Sequence, residues 1–369
     1  MSTDPDRAAM QAALDQARLA IGVSDPNPRV GCVITSPDGR QVLGSGHTQQ
    51  AGGPHAEVMA LRDAQARGAN VRGATVHVTL EPCAHHGRTP PCCDALVAAG
   101  VGRVVAALGD PNPQVNGQGM ARLRAAGIAT EWAAPDLAEA ARELNIGFLS
   151  RMTRGRPWVR LKVAASLDGQ TALADGRSQW ITGPAARHDG HAWRRRAGGV
   201  LSGIGTVRAD DPRLDVRGHE VLRQPLRAIV DSRLETPLQA RLFEVPDSTL
   251  VFYAAQADRE RAAGLQARGA QVVEAPGPTG RVDLAAVLAD LAGRQLNELH
   301  LECGARLGGA WVQAGLVDEL LVYLAPALLG PGRPMLSLPA LPGLDQASRW
   351  RWVDTCPVGE DLRLRLRPA

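Results

Sequence analysis

Four side chains in the first quarter of the chain could form a catalytic zinc centre. His55 and Glu57 form a His-x-Glu pair, Cys83 follows one proline, and Cys92 follows two. A catalytic zinc ion needs three protein ligands and an open position for water, and His55 with the two thiolates would supply those ligands. Because zinc lowers the pKa of bound water to about 7, Glu57 is suited to move protons beside the metal. The pattern predicts a hydrolytic site with one zinc ion per chain.

The same segment leaves two alternatives open. Cys93 competes with Cys92, because neighbouring residues at a helix start point about 100° apart and only one can face the metal. The helix dipole at such a start favours the thiolate form that zinc requires. His85 or His86 would add a fourth protein ligand, and the site would then be closed and structural.

The basic residues point to a second position. Only one of the 41 lysine and arginine residues is a lysine, Lys162. A nucleotide bias toward arginine codons explains the excess of arginine, so the lone lysine marks a place where arginine is unacceptable. Arginine is a planar, permanent cation, whereas lysine is compact and its pKa is tunable. We predict a catalytic role for Lys162, with chance survival as the alternative.

Strands and helices alternate around the predicted zinc ligands. Turn-forming segments rich in glycine, proline and aspartate separate them. Helices are predicted at 6–23, 55–66, 92–99 and 139–149, and strands at 30–35, 41–46, 74–80 and 103–108. The alternation indicates an α/β/α sandwich.

The alternation restarts in the second half. Strands are predicted at 158–164, 199–201, 227–230, 250–253, 271–274, 299–302 and 319–324, and helices at 185–197, 284–293 and 310–314. The chain of 369 residues is about twice as long as a typical domain. The polar, basic segment 150–157 is predicted to be the linker, which gives domains at 1–150 and 151–369.

Composition excludes several classes of protein. A formal net charge of +3 and an aromatic content of 3% argue against a nucleic-acid binder. The chain shows no export signal and no uninterrupted apolar stretch of about 18 residues, so we expect a cytoplasmic protein without a membrane partner. In that compartment the six cysteines favour metal or thiolate chemistry over disulfides.

The zinc motif resembles that of the zinc nucleobase deaminases, whose signature is H-x-E followed by P-C-x-x-C. Here eight residues, not two, separate Cys83 from Cys92. The longer loop, EPCAHHGRTPPC at 81–92, is similar to that of the bifunctional riboflavin-biosynthesis deaminase/reductases. So are NPRVGCV at 27–33 and DPNPQV at 110–115. The resemblance extends over essentially the whole chain.

The resemblance implies roles for residues of the first half. The three ligands named above would bind zinc, and Glu57 would shuttle protons. Asn27 and His47 would hold the pyrimidine ring. In the longer loop, His86 and Arg88 would suit a ribose phosphate by their charge, and a solvated arginine is an equally good interpretation of Arg88.

Segments of the second half resemble the reductase domain of the same family, which is related in fold to dihydrofolate reductase and uses NADPH. They are LKVAASLDG at 161–169, SQWIT at 178–182, GTV at 205–207, ADDP at 209–212, VDS at 230–232, and Glu302 with the glycines of 304–309. A glycine-rich turn before a helix offers backbone N–H groups to a pyrophosphate. The G-x-G-x-x-G fingerprint is absent, which disfavours a standard Rossmann domain, and CGAR at 303–306 departs from the Gly-Pro-Thr type of turn in other members.

The matching positions imply two sets of contacts. The cofactor-binding set is Ala164, Trp180, Thr206, Asp210, Ser232, Gly304, Ala305, Arg306, Leu307, Gly308, Gly309 and Ala310. The substrate-binding set is Ser178, Arg194, Leu214, Arg217 and Glu302. A guanidinium pairs well with phosphate oxygens, so both arginines of this set suit a phosphate, with a surface arginine as the alternative. Ser232 and Arg233 would suit an adenosine 2′-phosphate.

We therefore expect an N-terminal cytidine-deaminase-like α/β/α sandwich and a C-terminal dihydrofolate-reductase-like α/β domain. The expected first reaction is zinc-dependent hydrolytic deamination of 2,5-diamino-6-(5-phosphoribosylamino)pyrimidin-4(3H)-one. In the second reaction NADPH reduces the ribosyl group to a ribityl chain, with Lys162, Asp210 and Glu302 as candidate proton donors. A homo-oligomer is expected.

Two other functions fit parts of the sequence. One is a single-activity deaminase of a nucleobase, nucleotide or tRNA base with a non-catalytic second domain. The low net charge argues against tRNA, and the glycines of 304–309 argue against a degenerate second domain. The other is a zinc-stabilised scaffold without catalysis.

Overall fold

The computed structural model describes residues 4–86, 90–111, 116–245, 249–254 and 258–369. The chain forms two compact units, Met1–Gly155 and Arg156–Ala369. Most of the predicted linker is helical, because a helix at Ile146–Arg154 continues until Gly155 adopts a left-handed conformation with φ of 67°. None of the described helices is both long enough and apolar enough to cross a bilayer.

Unit 1 is built on a five-stranded sheet. Its strands are β1 (Gly31–Thr35), β2 (Val42–His47), β3 (Thr75–Val78), β4 (Arg103–Ala106) and β5 (Ala129–Trp132). Its described helices are α1 (Pro5–Leu19), α2 (Ala56–Ala66), α3 (Cys92–Ala99), α4 (Gln118–Ala125), α5 (Pro135–Leu144) and α6 (Ile146–Arg154). The strand order is β2-β1-β3-β4-β5, in which β1 is antiparallel to both neighbours and the last three strands are parallel.

This topology gathers loops at one edge of the sheet. His47 at the end of β2 pairs with Gly31 at the start of β1. Beyond β3, the N–H of Thr79 donates a hydrogen bond of 3.0 Å to the carbonyl of Gly31. Because β1 runs opposite to its neighbours, its start and their ends meet, and segments 27–30, 48–55 and 79–83 leave the sheet at this edge.

A glycine lets α2 lie close to β2. A Cβ atom at Gly46 would be 2.5 Å from the Cβ of Met59 and 2.6 Å from the backbone nitrogen of Ala60. Such distances are sterically excluded, so only glycine permits this packing. The close approach sets the position of α2, whose start carries His55 and Glu57.

Unit 2 is built on a nine-stranded sheet in the order β11-β10-β9-β8-β12-β6-β13-β16-β15, with a small β14-β7 pair. The strands are β6 (Trp158–Ser166), β7 (Gln170–Leu173), β8 (Gly199–Gly203), β9 (Leu226–Val230), β10 (Thr249–Tyr253), β11 (Ala270–Glu274), β12 (Glu298–Leu301), β13 (Glu319–Ala325), β14 (Gly332–Pro334), β15 (Trp350–Val358) and β16 (Asp361–Pro368). The described helices are α7 (Pro184–Arg196), α8 (Ile204–Asp210), α9 (Arg259–Ala267), α10 (Leu284–Gly293) and α11 (Ala305–Gln313). The strands from β11 to β13 are parallel, and β16 and β15 continue the sheet as an antiparallel hairpin.

Buried charges form a network in unit 2. Arg160 donates hydrogen bonds of 2.7 Å to Glu319 and 2.9 Å to Glu298, and all three side chains are at most 1% exposed. Arg365 and Arg367 of β16 each donate a hydrogen bond of 2.9 Å to Glu319. Burial alone would raise the pKa of Glu319, but the charges of Arg160 and Arg365 lower it to about 2.

The structure corrects several predicted elements. The predicted helix 139–149 is two helices, because Asn145 ends α5 and exchanges two hydrogen bonds with the backbone of Arg29. The segment 304–310 was predicted to be a turn before a helix at 310–314. This prediction is wrong, because α11 already begins at Ala305. A Cβ at Gly309 would lie 2.1 Å from the carbonyl oxygen of Ser337, so this glycine serves close packing within the helix. The hairpin of β15 and β16 was not predicted.

Candidate active sites

The three predicted zinc ligands converge in unit 1. His55 Nδ1 lies 3.7 Å from Cys83 Sγ and 3.4 Å from Cys92 Sγ, and the three ligand atoms lie within 4.8 Å of one another. With zinc bonds of about 2.0–2.1 Å to nitrogen and about 2.3 Å to sulfur, adjacent ligands of a tetrahedral site are about 3.6 Å apart. The observed spacing fits a zinc ion, and these three residues would hold it.

Each ligand is positioned by the end of a regular element. His55 is the N-cap of α2, Cys92 is the first residue of α3, and Cys83 follows β3. The backbone N–H of Cys92 donates a hydrogen bond of 3.3 Å to Cys83 Sγ. Hydrogen bonds from the Cys92 thiol and the His55 ring lower the pKa of Cys83 to about 4. These contacts favour the thiolate form of Cys83, which is the form that binds zinc, whereas the same hydrogen bond raises the pKa of Cys92.

Cys92 faces this cluster and Cys93 does not. The Cys93 thiol is fully buried and donates a hydrogen bond of 3.3 Å to the carbonyl of Pro82. Burial raises the pKa of Cys93 to about 12. His85 and His86 do not belong to the group of neighbouring ligand atoms found in the part of the chain that the structure describes. This arrangement favours an open three-ligand site over a closed one.

Glu57 lies beside the ligands in the first turn of α2. Its side chain is buried and interacts with the Cys92 thiol. Burial raises the pKa of Glu57, and the negative charge of Cys83 adds to the rise. A carboxyl group with a raised pKa takes up a proton more readily, as a proton shuttle requires. Its position suits a proton shuttle that does not ligate the metal.

The predicted pyrimidine contacts lie at the same edge of the sheet. Asn27 precedes β1, His47 ends β2, and both are half-buried. Burial lowers the pKa of His47, which favours a neutral ring. In the longer loop, His86 is exposed, and the predicted phosphate contact Arg88 lies outside the described residues.

Glu81 positions the loop that carries the zinc ligands, a role that the sequence motifs did not indicate. Its buried carboxylate accepts hydrogen bonds from the backbone N–H groups of Gly117 at 3.0 Å, Met120 at 3.1 Å and Asp110 at 3.4 Å. Cys83 lies two residues further along the chain. Glu81 therefore ties the loop that carries Cys83 to segments 110–111 and 116–120. The sequence offered one signal for this role, the position of Glu81 between a buried strand and the Pro-Cys pair.

In unit 2 the strand register places Lys162 beside Glu302. Leu161 of β6 lies opposite Leu301 of the parallel strand β12, so the residues that follow them are neighbours at the same level. Lys162 is half-buried, and its Nζ lies 5.9 Å from the ring centroid of Tyr323. Burial lowers the pKa of Lys162, which makes a proton transfer near neutral pH easier.

Glu302 is held by a two-point ion pair with Arg194. The two hydrogen bonds measure 2.5 and 2.7 Å, and a third N–H of Arg194 donates to the carbonyl of Asp215 at 2.7 Å. Burial alone would raise the pKa of Glu302, but the charge of Arg194 holds it well below its usual range. Arg194 is therefore committed to Glu302, and a direct phosphate contact would require this pair to open.

The other predicted substrate residues differ in exposure. The Leu214 side chain is 1% exposed and packs in an apolar cluster with Val200 and Val207, so only its backbone can face a ligand. Arg217 is exposed and forms an ion pair with Asp215. Ser178 is half-buried between β7 and α7.

Part of the predicted cofactor set meets at the start of α11. Gly304 is the exposed N-cap of this helix, and Thr206 Oγ1 lies 3.9 Å from the position that a Cβ of Gly304 would take. Arg306 is exposed, whereas Gly308 and Gly309 are buried. The remaining members, Ala305, Leu307 and Ala310, are half-buried in the helix. A helix start can bind a pyrophosphate through its N–H groups, and the two buried glycines serve packing.

The other predicted cofactor contacts lie on separate elements. Ala164 is half-buried on β6, and Asp210 ends α8 in an exposed position. The Ser232 hydroxyl after β9 accepts a hydrogen bond of 3.2 Å from the N–H of Val282. Trp180 is 69% exposed rather than a core residue. No hydrogen bond among the described residues joins these four positions to one another.

A second group that the motifs did not identify supports Lys162. The Tyr323 hydroxyl donates a hydrogen bond of 2.5 Å to Asp189, which also accepts one of 3.1 Å from Arg363. This group holds the Tyr323 ring beside the Lys162 ammonium. Its members lie 134 and 174 positions apart in the chain, so sequence spacing carries no signal for it.

Comparisons with known proteins agree with both sites. Residues 157–364 match the RibD C-terminal domain, and residues 3–108 match the cytidine and deoxycytidylate deaminase zinc-binding region. The chain is 44% identical over 374 residues to the riboflavin biosynthesis protein RibD of Escherichia coli (strain K12), covering 98% of this chain and 99% of that protein. This chain belongs to the RibD family.

Solved structures of RibD proteins have the same fold. Acinetobacter baumannii RibD, form 1, matches with a TM-score of 0.88 and 42% identity over 99% of both chains. A diaminohydroxyphosphoribosylaminopyrimidine deaminase/5-amino-6-(5-phosphoribosylamino)uracil reductase from Thermotoga maritima matches with a TM-score of 0.86 and 30% identity, again over 99% of both chains. The expected fold, a cytidine-deaminase-like domain followed by a reductase domain, is confirmed. The chain is a bifunctional deaminase and reductase of riboflavin biosynthesis, and the alternatives of a single activity and of a scaffold are set aside.

Proposed function

We propose that unit 1 deaminates 2,5-diamino-6-(5-phosphoribosylamino)pyrimidin-4(3H)-one and that unit 2 then reduces the ribosyl group of the product to a ribityl chain with NADPH. The relative from Thermotoga maritima carries such a deaminase and such a reductase in its name. The deaminase is assigned to residues 1–150 and the reductase to residues 151–369, close to the division between the two units at Gly155, with one zinc ion per chain in the deaminase. The enzyme works as a cytoplasmic homo-oligomer without nucleic-acid or membrane partners.

The observation that carries the proposal is the His55, Cys83 and Cys92 triangle with the buried Glu57 beside it. A bound zinc ion supplies an activated water at neutral pH. Glu57 accepts a proton from that water and delivers it to the amine that leaves as ammonia. Asn27 and His47, at the same edge of the sheet, orient the pyrimidine ring.

In unit 2 the pair of Lys162 and Glu302 defines the reducing centre. The half-buried Lys162 ammonium lies beside the Glu302 carboxylate, which also pairs with Arg194. When bound, NADPH would supply a hydride to the imine carbon of the ring-opened ribosyl group. Lys162 would donate the proton that the imine nitrogen takes up as the C=N double bond becomes a single bond. The nicotinamide cofactor would be held by Ala164, Trp180, Thr206, Asp210, Ser232 and segment 304–310 at the start of α11. The substrate would be held by Ser178, Leu214, Arg217 and Glu302.

The decisive experiment gives the purified chain the diaminopyrimidinone phosphoribosylamine together with NADPH. Ammonia release and the loss of nicotinamide absorbance are followed in the same reaction. We expect ammonia without NADPH, and NADPH oxidation only after deamination. Ammonia release without any NADPH oxidation would contradict the second half of the proposal.

The Glu57→Gln variant separates the two activities. We expect it to keep zinc and to lose ammonia release, because an amide cannot carry the proton. Supplied with the deaminated pyrimidine, it should still oxidise NADPH at the normal rate. Loss of both activities together would show that the two units do not act independently.

A further inference from the structure

A histidine outside the matched positions faces the loop that carries Arg217. His191 lies on α7, three residues before Arg194, and is half-buried. The backbone N–H of Arg217 donates a hydrogen bond of 3.2 Å to His191 Nδ1. Because a backbone amide can only donate, Nδ1 must be the acceptor, and the ring proton is on Nε2.

The surroundings of His191 keep this ring neutral. The charged groups that act on it are Arg194 of its own helix, Asp215 and Arg217 of the loop after α8, and Glu302 after β12. Burial first, and then the charges of Arg194 and Arg217, lower the pKa of His191 to about 4. Among the described residues, no protein group accepts a hydrogen bond from Nε2. A neutral N–H donor is thus held ready beside the Glu302 pair.

The loop that contacts this ring carries an accessible cation. Arg194 is committed to Glu302, whereas the Arg217 side chain is 55% exposed, and only Asp215, on its own loop, pairs with it in the described part of the chain. A neutral N–H donor next to an accessible guanidinium is the chemistry that recognises a phosphate monoester, since one group supplies charge and the other a directed hydrogen bond. The Nδ1 bond ties the ring to the backbone of Arg217, and the ion pair with Asp215 holds the Arg217 side chain.

We propose that His191 is a substrate-binding residue of the reductase site, donating a hydrogen bond from Nε2 to the 5-phosphate of the substrate while Arg217 supplies the charge. The inference rests on the proposed function and deepens it. It assigns recognition of the phosphate to the neutral imidazole and to Arg217, rather than to Arg194.

The test compares His191→Leu, which removes the donor, with His191→Gln, which can accept from Arg217 and donate as the imidazole does. His188→Leu, on the same helix and in contact with His219 rather than Arg217, is the matched control. The substrates are the deaminated pyrimidine with and without its 5-phosphate. For each pair, kcat and KM are measured by NADPH oxidation.

We expect His191→Leu to raise KM for the phosphorylated substrate roughly 10- to 100-fold, the effect of losing a hydrogen bond to a charged group. The value of kcat, the KM for NADPH and the KM for the dephosphorylated substrate should stay within about twofold. His191→Gln should recover most of the loss, and His188→Leu should match the wild type. The ratio of KM between His191→Leu and wild type should be flat from pH 5.5 to 8, because the ring is neutral throughout.

Three results would overturn the inference. The first is an unchanged KM in His191→Leu, and the second is an equal loss on both substrates, which would indicate a structural role. The third is a KM ratio that collapses above pH 6.5, which would make the imidazolium the binding form. A wild-type chain that oxidises no NADPH with either substrate would instead contradict the proposed function itself. If His191→Leu does not fold, the same comparison is made with His191→Gln against His191→Asn, whose shorter amide cannot reach as far.

Discussion

Removal of the Glu302 charge should destabilise unit 2 as well as inactivate it. Arg194 and Glu302 are only 12% and 17% exposed in their side chains and share two hydrogen bonds. Glu302→Gln keeps the shape but leaves the Arg194 guanidinium and the nearby Lys162 ammonium buried without a counter-charge. Breaking one partner of a buried pair costs about 3–5 kcal/mol. For a unit of this size, that loss lowers the melting temperature by roughly 6–20 °C.

Tryptophan fluorescence can follow this unit in the full chain. Six of the seven tryptophans lie in unit 2, and Trp132→Phe removes the other. In that background, thermal and urea unfolding of Glu302→Gln is compared with Arg194→Met and with the double variant. We expect the double variant to recover most of the stability lost by Glu302→Gln, because no unpaired charge remains at this pair, while reduction stays abolished.

A loss below about 1 kcal/mol in Glu302→Gln would refute this reasoning, since it would mean that water screens the pair. A double variant no more stable than Glu302→Gln would refute it as well, because the unpaired Arg194 would then not be the source of the loss.

Three further predictions concern other parts of the molecule. In metal analysis, Cys92→Ser should lose its bound zinc. Cys93→Ser should keep one zinc ion per chain, because the Cys93 side chain faces the carbonyl of Pro82. Equal zinc content in the two variants would contradict the ligand assignment. Lys162→Arg should lower the rate of NADPH-dependent reduction by roughly 10²–10⁴-fold and leave deamination unchanged. A normal rate of reduction would mean that Lys162 has no catalytic role and is a lysine that codon bias happened not to replace. Hydrogen bonds, mainly from Arg103, lower the pKa of Asp6 to about 2 from 3.8. Asp6 should therefore stabilise unit 1 above about pH 3.8 and lose that effect as the pH falls toward 2. If the difference in stability between the wild type and Asp6→Asn does not shrink over this range, the prediction is contradicted.

The sequence predicted well what local pattern determines. Helices α3 and α10 begin and end where they were predicted, and the parallel strands from β6 to β13 were found within a few residues. The three residues predicted to bind zinc do lie together, and they could be selected because their residue types are rare and their order along the chain is specific. Apolar runs, helix caps and metal-ligating residue types are recognised from a few neighbouring positions. They can therefore be predicted from the sequence without knowledge of the fold.

Features that depend on distant partners were missed. Arg194 was interpreted as a phosphate clamp, but its partner Glu302 lies 108 positions away. Gly309 suggested a turn, because its contact with Ser337 cannot be seen in the sequence. The alternating pattern at 361–367 is a strand signal. Two arginines of β16 nevertheless turn toward the buried Glu319, and a third turns toward the half-buried Asp189. A polar residue is expected to face solvent, and here the opposite holds.

The buried Glu319 has a consequence for how unit 2 assembles. Its carboxylate receives one guanidinium from 159 positions earlier and two from 46 and 48 positions later. A partly formed sheet that holds β13 without β16 would bury this carboxylate with too little positive charge, and such a state is unfavourable. We therefore expect intermediates without the hairpin to be sparsely populated. The charges that join β6, β13 and β16 make closure of the sheet cooperative, so that this unit forms as a whole or not at all.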